Sequence, residues 1–79
     1  MDGISERLRL ARMRKVWTQA DLARESGVPI VTLSRIENGH HQGTPRQSTI
    51  RKLAAALDVD AAWLFLGEGE SVEKLMAAA

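Results

Sequence analysis

Residues 18–39 read Thr-Gln-Ala-Asp-Leu-Ala-Arg-Glu-Ser-Gly-Val-Pro-Ile-Val-Thr-Leu-Ser-Arg-Ile-Glu-Asn-Gly. Thr18 is suited to cap a helix in which Leu22 is buried. Gly27 ends that helix, because glycine adopts the left-handed conformation without steric cost. Pro29 suits the first turn of a second helix, where no backbone N–H is needed. Two short helices joined by a tight turn predict a helix–turn–helix, a motif that mainly places its second helix in a groove of DNA.

The second helix of this motif has an inward and an outward side. Leu33 and Ile36 face inward, and Asn38-Gly39 ends the helix. At about 100° per residue, Val31 and Arg35 lie roughly opposite Leu33. The helix start usually enters the groove deepest. The residues expected to face a groove are Ile30, Val31, Thr32, Ser34, Arg35 and Asn38.

Helical patterns also flank the motif, so the predicted fold is an all-α, compact five-helix bundle. Helix 1 is expected from about residue 4 to 15, with its core stripe on Ile4, Leu8 and Ala11 and its arginines, including Arg7, on the solvated side. Thr44 and Gln47 form a capping-box pattern for helix 4, with Pro45 at the first helical position. Helix 4 buries Ile50, Leu53, Ala54 and Leu57. Asp60 caps helix 5, Gly67 ends it, and its core residues are Trp63, Leu64 and Leu66.

The chain is expected to divide into a DNA-binding domain over residues 1–67 and a tail over 68–79. Residues 68–70 are acidic and contain glycine, which is typical of a hinge. The following segment is too short to form a stable helix alone and needs a surface to pack on. We expect a dimer or partner surface formed by Trp63, Val72, Leu75 and Met76.

Composition narrows the functional classes. The chain has no cysteine, which excludes disulfides and thiolate chemistry and suits a reducing, cytoplasmic location. No apolar run approaches a membrane span, and the first residues lack the order of a signal peptide. Residues 1–52 hold ten Lys/Arg against five Asp/Glu, a net charge of +5, whereas residues 53–79 carry −4. This asymmetry favours contact with phosphates, although a face of solvated arginines explains it equally well.

In order and spacing, several motifs of the chain resemble the Xre/Cro-type, lambda-repressor-like helix–turn–helix family. They are Thr18-Gln19, Asp21-Leu22-Ala23, Gly27-Val28, Ile36-Glu37-Asn38-Gly39, Leu53-Ala54-Ala55-Ala56-Leu57 and residues 59–65. The resemblance covers about residues 4–67. The family often has glycine where this chain has Val16, so the turn after helix 1 must be made in another way.

The resemblance also implies roles for individual residues. In the family, the positions matching Pro29, Ile30, Val31, Ser34 and Arg35 read bases, and the glutamine matching Gln19 contacts a phosphate. Asn38, His40 and Arg46 are expected to contact the sugar-phosphate backbone of DNA. The arginine and glutamate matching Arg12 and Glu37 form a partly buried ion pair that would hold the recognition helix at its docking angle.

The base-reading positions of this chain are unusually apolar. Ile30 and Val31 can contact thymine methyl groups but cannot hydrogen-bond. The alternatives are burial of Ile30 against helix 2, or a protein-contact patch formed by both residues. Arg35 suits either bidentate readout of guanine or a phosphate contact.

These features predict a sequence-specific transcriptional regulator, most simply a repressor of bacterial or phage type. It would bind a palindromic DNA operator as a homodimer. The alternatives are an antitoxin, which would regulate its own promoter and whose tail would bind a toxin, and a controller of a restriction–modification system. No catalytic motif or glycine-rich phosphate loop is present, so an enzyme and a cofactor are not expected. The adjacent His40 and His41 lack a third ligand, so no metal site is expected.

Overall fold

The computed structural model describes residues 3–40 and 44–67, and these ranges form five helices and no strand, as the sequence predicts. The helices are α1 (Ile4–Arg14), α2 (Gln19–Ser26), α3 (Ile30–Glu37), α4 (Gln47–Leu57) and α5 (Ala61–Leu66). α1 packs against α3 and α5, α2 packs against α3 and α4, and α4 packs against α5. The expected tail surface at Val72, Leu75 and Met76, the hinge at 68–70 and His41 lie outside the described residues.

One apolar core joins all five helices, since each contributes the side chains that its helical period points inward. Its fully buried large residues are Leu8, Leu22, Leu33, Ile36, Leu53, Leu57 and Leu64. Ile4, Trp17, Ala23 and Phe65 are partly buried against this core. The predicted core stripes of α3 and α4 are therefore confirmed.

The ends of α2 follow the sequence closely. Thr18 and Asp21 form a reciprocal capping box at its start, and Gly27 ends it in the left-handed conformation, with φ of 77°. Pro29 is the residue just before α3 rather than part of its first turn. The start and end of α2 are thus set by local signals, while Val28 of the turn is buried in the core.

The predicted start of α4 is wrong. The helix begins at Gln47, and Arg46 occupies the capping position without a side-chain hydrogen bond. Thr44 and Pro45 precede the helix, so they form neither a capping box nor its first turn. The Thr-x-x-Gln pattern by itself cannot distinguish a cap from an approach to the helix.

Helix α5 requires two corrections. Leu66 is 59% exposed and does not close the core. Trp63 is only 5% exposed, so it belongs to the core and is not available as the dimer or partner surface predicted for it. The expected caps are present, because Asp60 accepts a hydrogen bond from the Ala62 N–H and Gly67 ends the helix with φ of 78°.

Arg7 is also placed differently from the prediction, which assigned it to the solvated side of α1. It is 9% exposed, and its Nε donates to the carbonyl oxygen of Leu64 at 3.0 Å. Its Nη2 donates to the carbonyl oxygen of Phe65 at 3.1 Å. These carbonyls belong to the last turn of α5, where no backbone N–H is available to them within the helix, so Arg7 satisfies them and joins α5 to α1.

Candidate nucleic-acid interface

The outward side of α3 is exposed from its start to its end. Ile30 is 44% exposed and Val31 57% exposed. Pro29, Arg35 and Asn38 are exposed, while Thr32 and Ser34 are half-buried. Asn38 Nδ2 donates to Ser34 Oγ at 3.2 Å, so these two polar side chains form a pair one turn apart. The surface available for recognition is apolar at the start of α3 and polar towards its end.

The C-terminal end of α3 is held by polar side chains of α1. Ser5 Oγ donates to the carbonyl oxygen of Ile36, and Arg9 Nη2 donates to the carbonyl oxygen of Glu37 at 3.2 Å. Both acceptors lie in the last turn of α3, and the Ile36 carbonyl oxygen also accepts from the Gly39 N–H at 3.1 Å. The C-terminal end of α3 is therefore anchored to α1, whereas Ile30 and Val31 at its N-terminal end are exposed.

Arg12 and Glu37 form a bidentate ion pair. Arg12 Nε lies 2.7 Å from Glu37 Oε2, and Arg12 Nη2 lies 2.9 Å from Glu37 Oε1. The side chains are only 14% and 2% exposed. The hydrogen bond with Glu37 raises the pKa of Arg12, against the opposing effect of burial. Arg12 Nη1 also donates to the carbonyl oxygen of Trp17 at 2.7 Å, so one guanidinium joins α1, the turn before α2 and the end of α3.

Gln19, expected to contact a phosphate, is the first residue of α2 and is partly exposed. Its Nε2 donates to Glu37 Oε1 at 3.2 Å, which brings it into the Arg12–Glu37 pair. Within the described ranges, the backbone N–H groups of Gln19 and Ala20 have no hydrogen-bond partner. These donors lie at the positive end of the α2 dipole, which is favourable for an anion.

His40 and Arg46, the two expected phosphate contacts outside the motif, are both exposed and flank the part of the loop between α3 and α4 that the structure does not describe. The His40 N–H donates to the carbonyl oxygen of Arg35 at 2.8 Å, which fixes its backbone at the end of α3. Among the residues described, no group of three His, Cys, Asp or Glu side chains could hold a metal ion. No described helix is both long and apolar enough to cross a bilayer.

Sequence reasoning missed the anchoring roles of Ser5 and Arg9. Both lie within about 60° of Arg12 on the α1 helical wheel, so the face that meets α3 was visible once Arg12 was assigned. Sequence reasoning also missed the hydrogen bond between Gln19 and Glu37. These residues are 18 positions apart, and no local pattern connects them.

Comparison with known proteins places these features in a family. The sequence model of the family described as HTH_3, helix-turn-helix, matches residues 8–64. The HTH-type transcriptional repressor RghR of Bacillus subtilis is 44% identical over 59 residues, which cover 75% of this chain and 43% of the relative. The HTH-type transcriptional regulator SlrR of the same organism is 40% identical over 68 residues, or 86% of this chain and 44% of the relative. The chain thus spans less than half the length of these curated relatives.

Solved structures agree with this placement. The P22 c2 repressor in complex with a synthetic operator superposes with a TM-score of 0.76 at 26% identity, covering 86% of this chain and all of that one. A SinR–SinI protein complex contains a chain with a TM-score of 0.75 at 29% identity, covering 94% of this chain and 75% of that one.

The relatives carry the names of regulators rather than of enzymes. Since the family model matches well over half of the sequence and the five-helix fold agrees with repressor domains, the chain belongs to the helix-turn-helix family HTH_3, of Xre/Cro type.

Proposed function

We propose that this protein is a transcriptional regulator that binds double-stranded DNA by placing the start of α3 in the major groove. The observation that carries the proposal is the asymmetry of α3. Leu33, Ile36 and Glu37 are buried and the helix is anchored at its C-terminal end, while Ile30 and Val31 stand exposed at its N-terminal end. This is the presentation by which a recognition helix reaches base edges.

The apolar start of α3 limits what it can read. Ile30 and Val31 have no hydrogen-bonding groups, and the thymine methyl group is the apolar feature of the major groove. We propose that they contact thymine methyls. Arg35 then donates hydrogen bonds to guanine O6 and N7, or to a phosphate if the position of α3 in the groove places Arg35 at its edge.

Phosphate contacts would orient the domain on the duplex. Gln19, at the start of α2, is the first candidate, and Asn38, His40 and Arg46 are the others. All four are at least partly exposed, and Gln19 is accompanied by free backbone N–H groups. Such contacts carry affinity without sequence information.

We further propose that the protein acts in the cytoplasm as a homodimeric repressor on a palindromic operator. One domain of this size makes few base contacts, and two copies on half-sites one helical turn apart, about 34 Å, would increase both affinity and selectivity. The name of RghR as a repressor and the operator complex of the P22 c2 repressor support this choice.

Selection from a randomised double-stranded DNA pool at near-physiological salt tests the proposal. An enriched inverted repeat with half-site centres about 10 bp apart would support a dimeric operator-binding protein. Binding that is independent of sequence and lost with added salt would contradict it, because that behaviour reports phosphate attraction alone.

Replacing thymine by uracil in the selected site, one position at a time, tests the methyl contacts. Uracil lacks the C5-methyl group, so binding should weaken at the positions under Ile30 and Val31. 5-Methylcytosine, paired with guanine at the same position, serves as a control for the methyl group in a different base pair. Unchanged affinity at every uracil position would contradict the methyl contacts while leaving DNA binding itself intact.

A second candidate function is regulation through a protein partner that covers the start of α3. It is favoured by the exposure of Ile30 and Val31 and by the similarity to a chain solved in a SinR–SinI protein complex. The same selection tests a partner-binding patch at the start of α3, because such a patch predicts no enriched sequence.

A further inference from the structure

The carboxylate of Glu37 accepts hydrogen bonds from two side chains on different helices. Oε2 accepts from Arg12 Nε, and Oε1 accepts from both Arg12 Nη2 and Gln19 Nε2. Glu37 is the last residue of α3 and Gln19 the first residue of α2. One buried carboxylate therefore connects the outer ends of the two helices of the motif.

This contact determines which way the Gln19 amide faces. An ionised carboxylate only accepts hydrogen bonds, so the amide NH₂ must face Glu37, and the amide oxygen would be repelled there. Glu37 takes one of the two N–H donors on Nε2. The other donor remains for a second acceptor, and a DNA phosphate is an acceptor of the same kind.

The carboxylate itself is not free to turn. Both of its oxygens are held by Arg12 in a bidentate pair, which has a fixed geometry. Its backbone is held by Arg9, which donates to the Glu37 carbonyl oxygen at 3.2 Å. A side chain that hydrogen-bonds to this group is consequently ordered before any ligand arrives.

We infer that Glu37 is a positioning residue for DNA binding: its buried carboxylate, fixed by Arg12, orients the Gln19 amide so that its second N–H meets a backbone phosphate. This inference rests on the proposed function. It assigns the ion pair a role in recognition in addition to its role in holding α1 against α3.

The test is phosphate interference on the selected duplex, with methylphosphonate replacing one phosphate at a time. Four folded proteins are compared: the wild type, Gln19→Ala, the apolar pair Arg12→Met/Glu37→Leu, and the triple variant. Replacing a buried ion pair by apolar residues often preserves stability, and thermal unfolding verifies this for the pair. We call the Gln19 phosphate the one whose replacement lowers the DNA affinity of the wild type more than that of Gln19→Ala.

At that phosphate we expect about tenfold weaker binding of the wild type and little change for Gln19→Ala, since one hydrogen bond to a charged group contributes about a factor of ten. When this phosphate is replaced, the apolar pair should lose as little affinity for the duplex as Gln19→Ala does. The triple variant should show the same small loss. A full tenfold loss in the apolar pair would overturn the inference. Replacement at the other contacted phosphates should affect all four proteins equally.

A measurement on the wild type keeps the inference testable if the apolar pair fails to fold. NMR resolves the two Nε2 protons of Gln19. On addition of the duplex, the Nε2 proton that is hydrogen-bonded to Glu37 should keep its chemical shift. The chemical shift of the other Nε2 proton should change. Two unmoved protons would overturn the inference. A wild type that selects no sequence would overturn the proposed function as well, whereas selective binding without the Gln19 effect would overturn the positioning role alone.

Discussion

Val16, just after α1, adopts a left-handed backbone with φ of 56°, although its side chain is β-branched and 89% exposed. The Val16 N–H donates to the Met13 carbonyl oxygen and the Trp17 N–H to the Arg12 carbonyl oxygen, the pair of bonds that defines a Schellman motif. Glycine is the usual residue at this position. The turn is therefore made with ordinary geometry but with a strained residue.

Val16→Gly should consequently stabilise the protein. The left-handed conformation costs an L-residue roughly 1–2 kcal/mol, and glycine removes this cost. The greater conformational freedom of glycine in the unfolded chain offsets part of the stabilisation. We expect the free energy of unfolding to rise by about 1 kcal/mol, measured by urea denaturation.

Asp58→Gly is the matched control for this substitution. Asp58 has φ of 58° after α4, but aspartate tolerates this conformation better than valine. The substitution also removes an exposed ion pair with Lys15, which contributes little. Its gain should be smaller than that of Val16→Gly, and equal or reversed gains would contradict the strain at Val16.

At the scale of the elements, each helix of the motif is stabilised in a different way. α2 carries its own signals, a capping box and a terminal glycine. α3 has no side-chain cap at its start. Its end is closed locally, because Gly39 is left-handed and the N–H groups of Gly39 and His40 donate to the carbonyl oxygens of Ile36 and Arg35. The sequence of α3 thus sets where the helix ends, while hydrogen bonds from Ser5 and Arg9 hold that end against α1.

Arg12→Ala should weaken DNA binding through folding. It leaves the Glu37 carboxylate, whose side chain is 2% exposed, without its charged partner. Removal of one member of a buried pair costs about 3–5 kcal/mol. Thermal unfolding of the free protein measures this cost, and an unchanged melting temperature would contradict the structural role of the pair. The apolar pair Arg12→Met/Glu37→Leu should recover most of the stability.

The capping box of α2 should make stability sensitive to acid. The hydrogen bond from the Thr18 backbone N–H is the main reason that the pKa of Asp21 is lowered from its ordinary value of 3.8, and the Thr18 side chain adds to it. Since the folded-state pKa lies below the unfolded one, the contribution is present above pH 3.8 and is lost as the pH falls through the folded-state pKa.

Urea unfolding of the wild type and Asp21→Asn at several pH values measures this effect. Asparagine keeps an acceptor oxygen but not the charge. The wild type should be the more stable protein at pH 6, with the difference shrinking in acid below the ordinary Asp21 pKa. A difference that does not depend on pH would show that the charge of Asp21 makes no contribution.

At the scale of the whole molecule, one apolar core is accompanied by an uneven distribution of charge along the chain. The buried apolar residues of all five helices form one core, while the basic residues are concentrated in residues 1–52. Arg7, Arg9 and Arg12 have structural partners in the fold. The net charge of the first 52 residues therefore overstates the number of cations available to phosphates.

Salt dependence should distinguish an arginine that contacts DNA from an arginine that lies away from it. Arg46→Ala should reduce the slope of log K against log salt by about 1 and weaken binding uniformly across sequences, as loss of a phosphate contact does. Arg14→Ala is the matched control, because Arg14 lies about 180° around α1 from Ser5, which contacts α3. An equal change of slope in both variants would contradict a contact by Arg46.

The sequence by itself determined the five-helix fold, the helix–turn–helix over Thr18–Asn38 and most of the core. These follow from helical periodicity and from residues such as Gly27 and Asp60, whose preferences act within one turn of the chain. The same reasoning failed at Thr44, where a local pattern matched a cap that does not form.

Only the tertiary structure decided the roles of Arg7, Trp63, Leu66 and the Gln19–Glu37 contact. A charged side chain on a helical wheel is expected in solvent until a neighbouring helix offers carbonyls with no partner, as α5 offers Leu64 and Phe65 to Arg7. Whether an apolar side chain of α5 is buried depends on where α1 and α4 lie. Contacts between residues distant in sequence are set by the packing of helices, for which a single sequence holds no local signal.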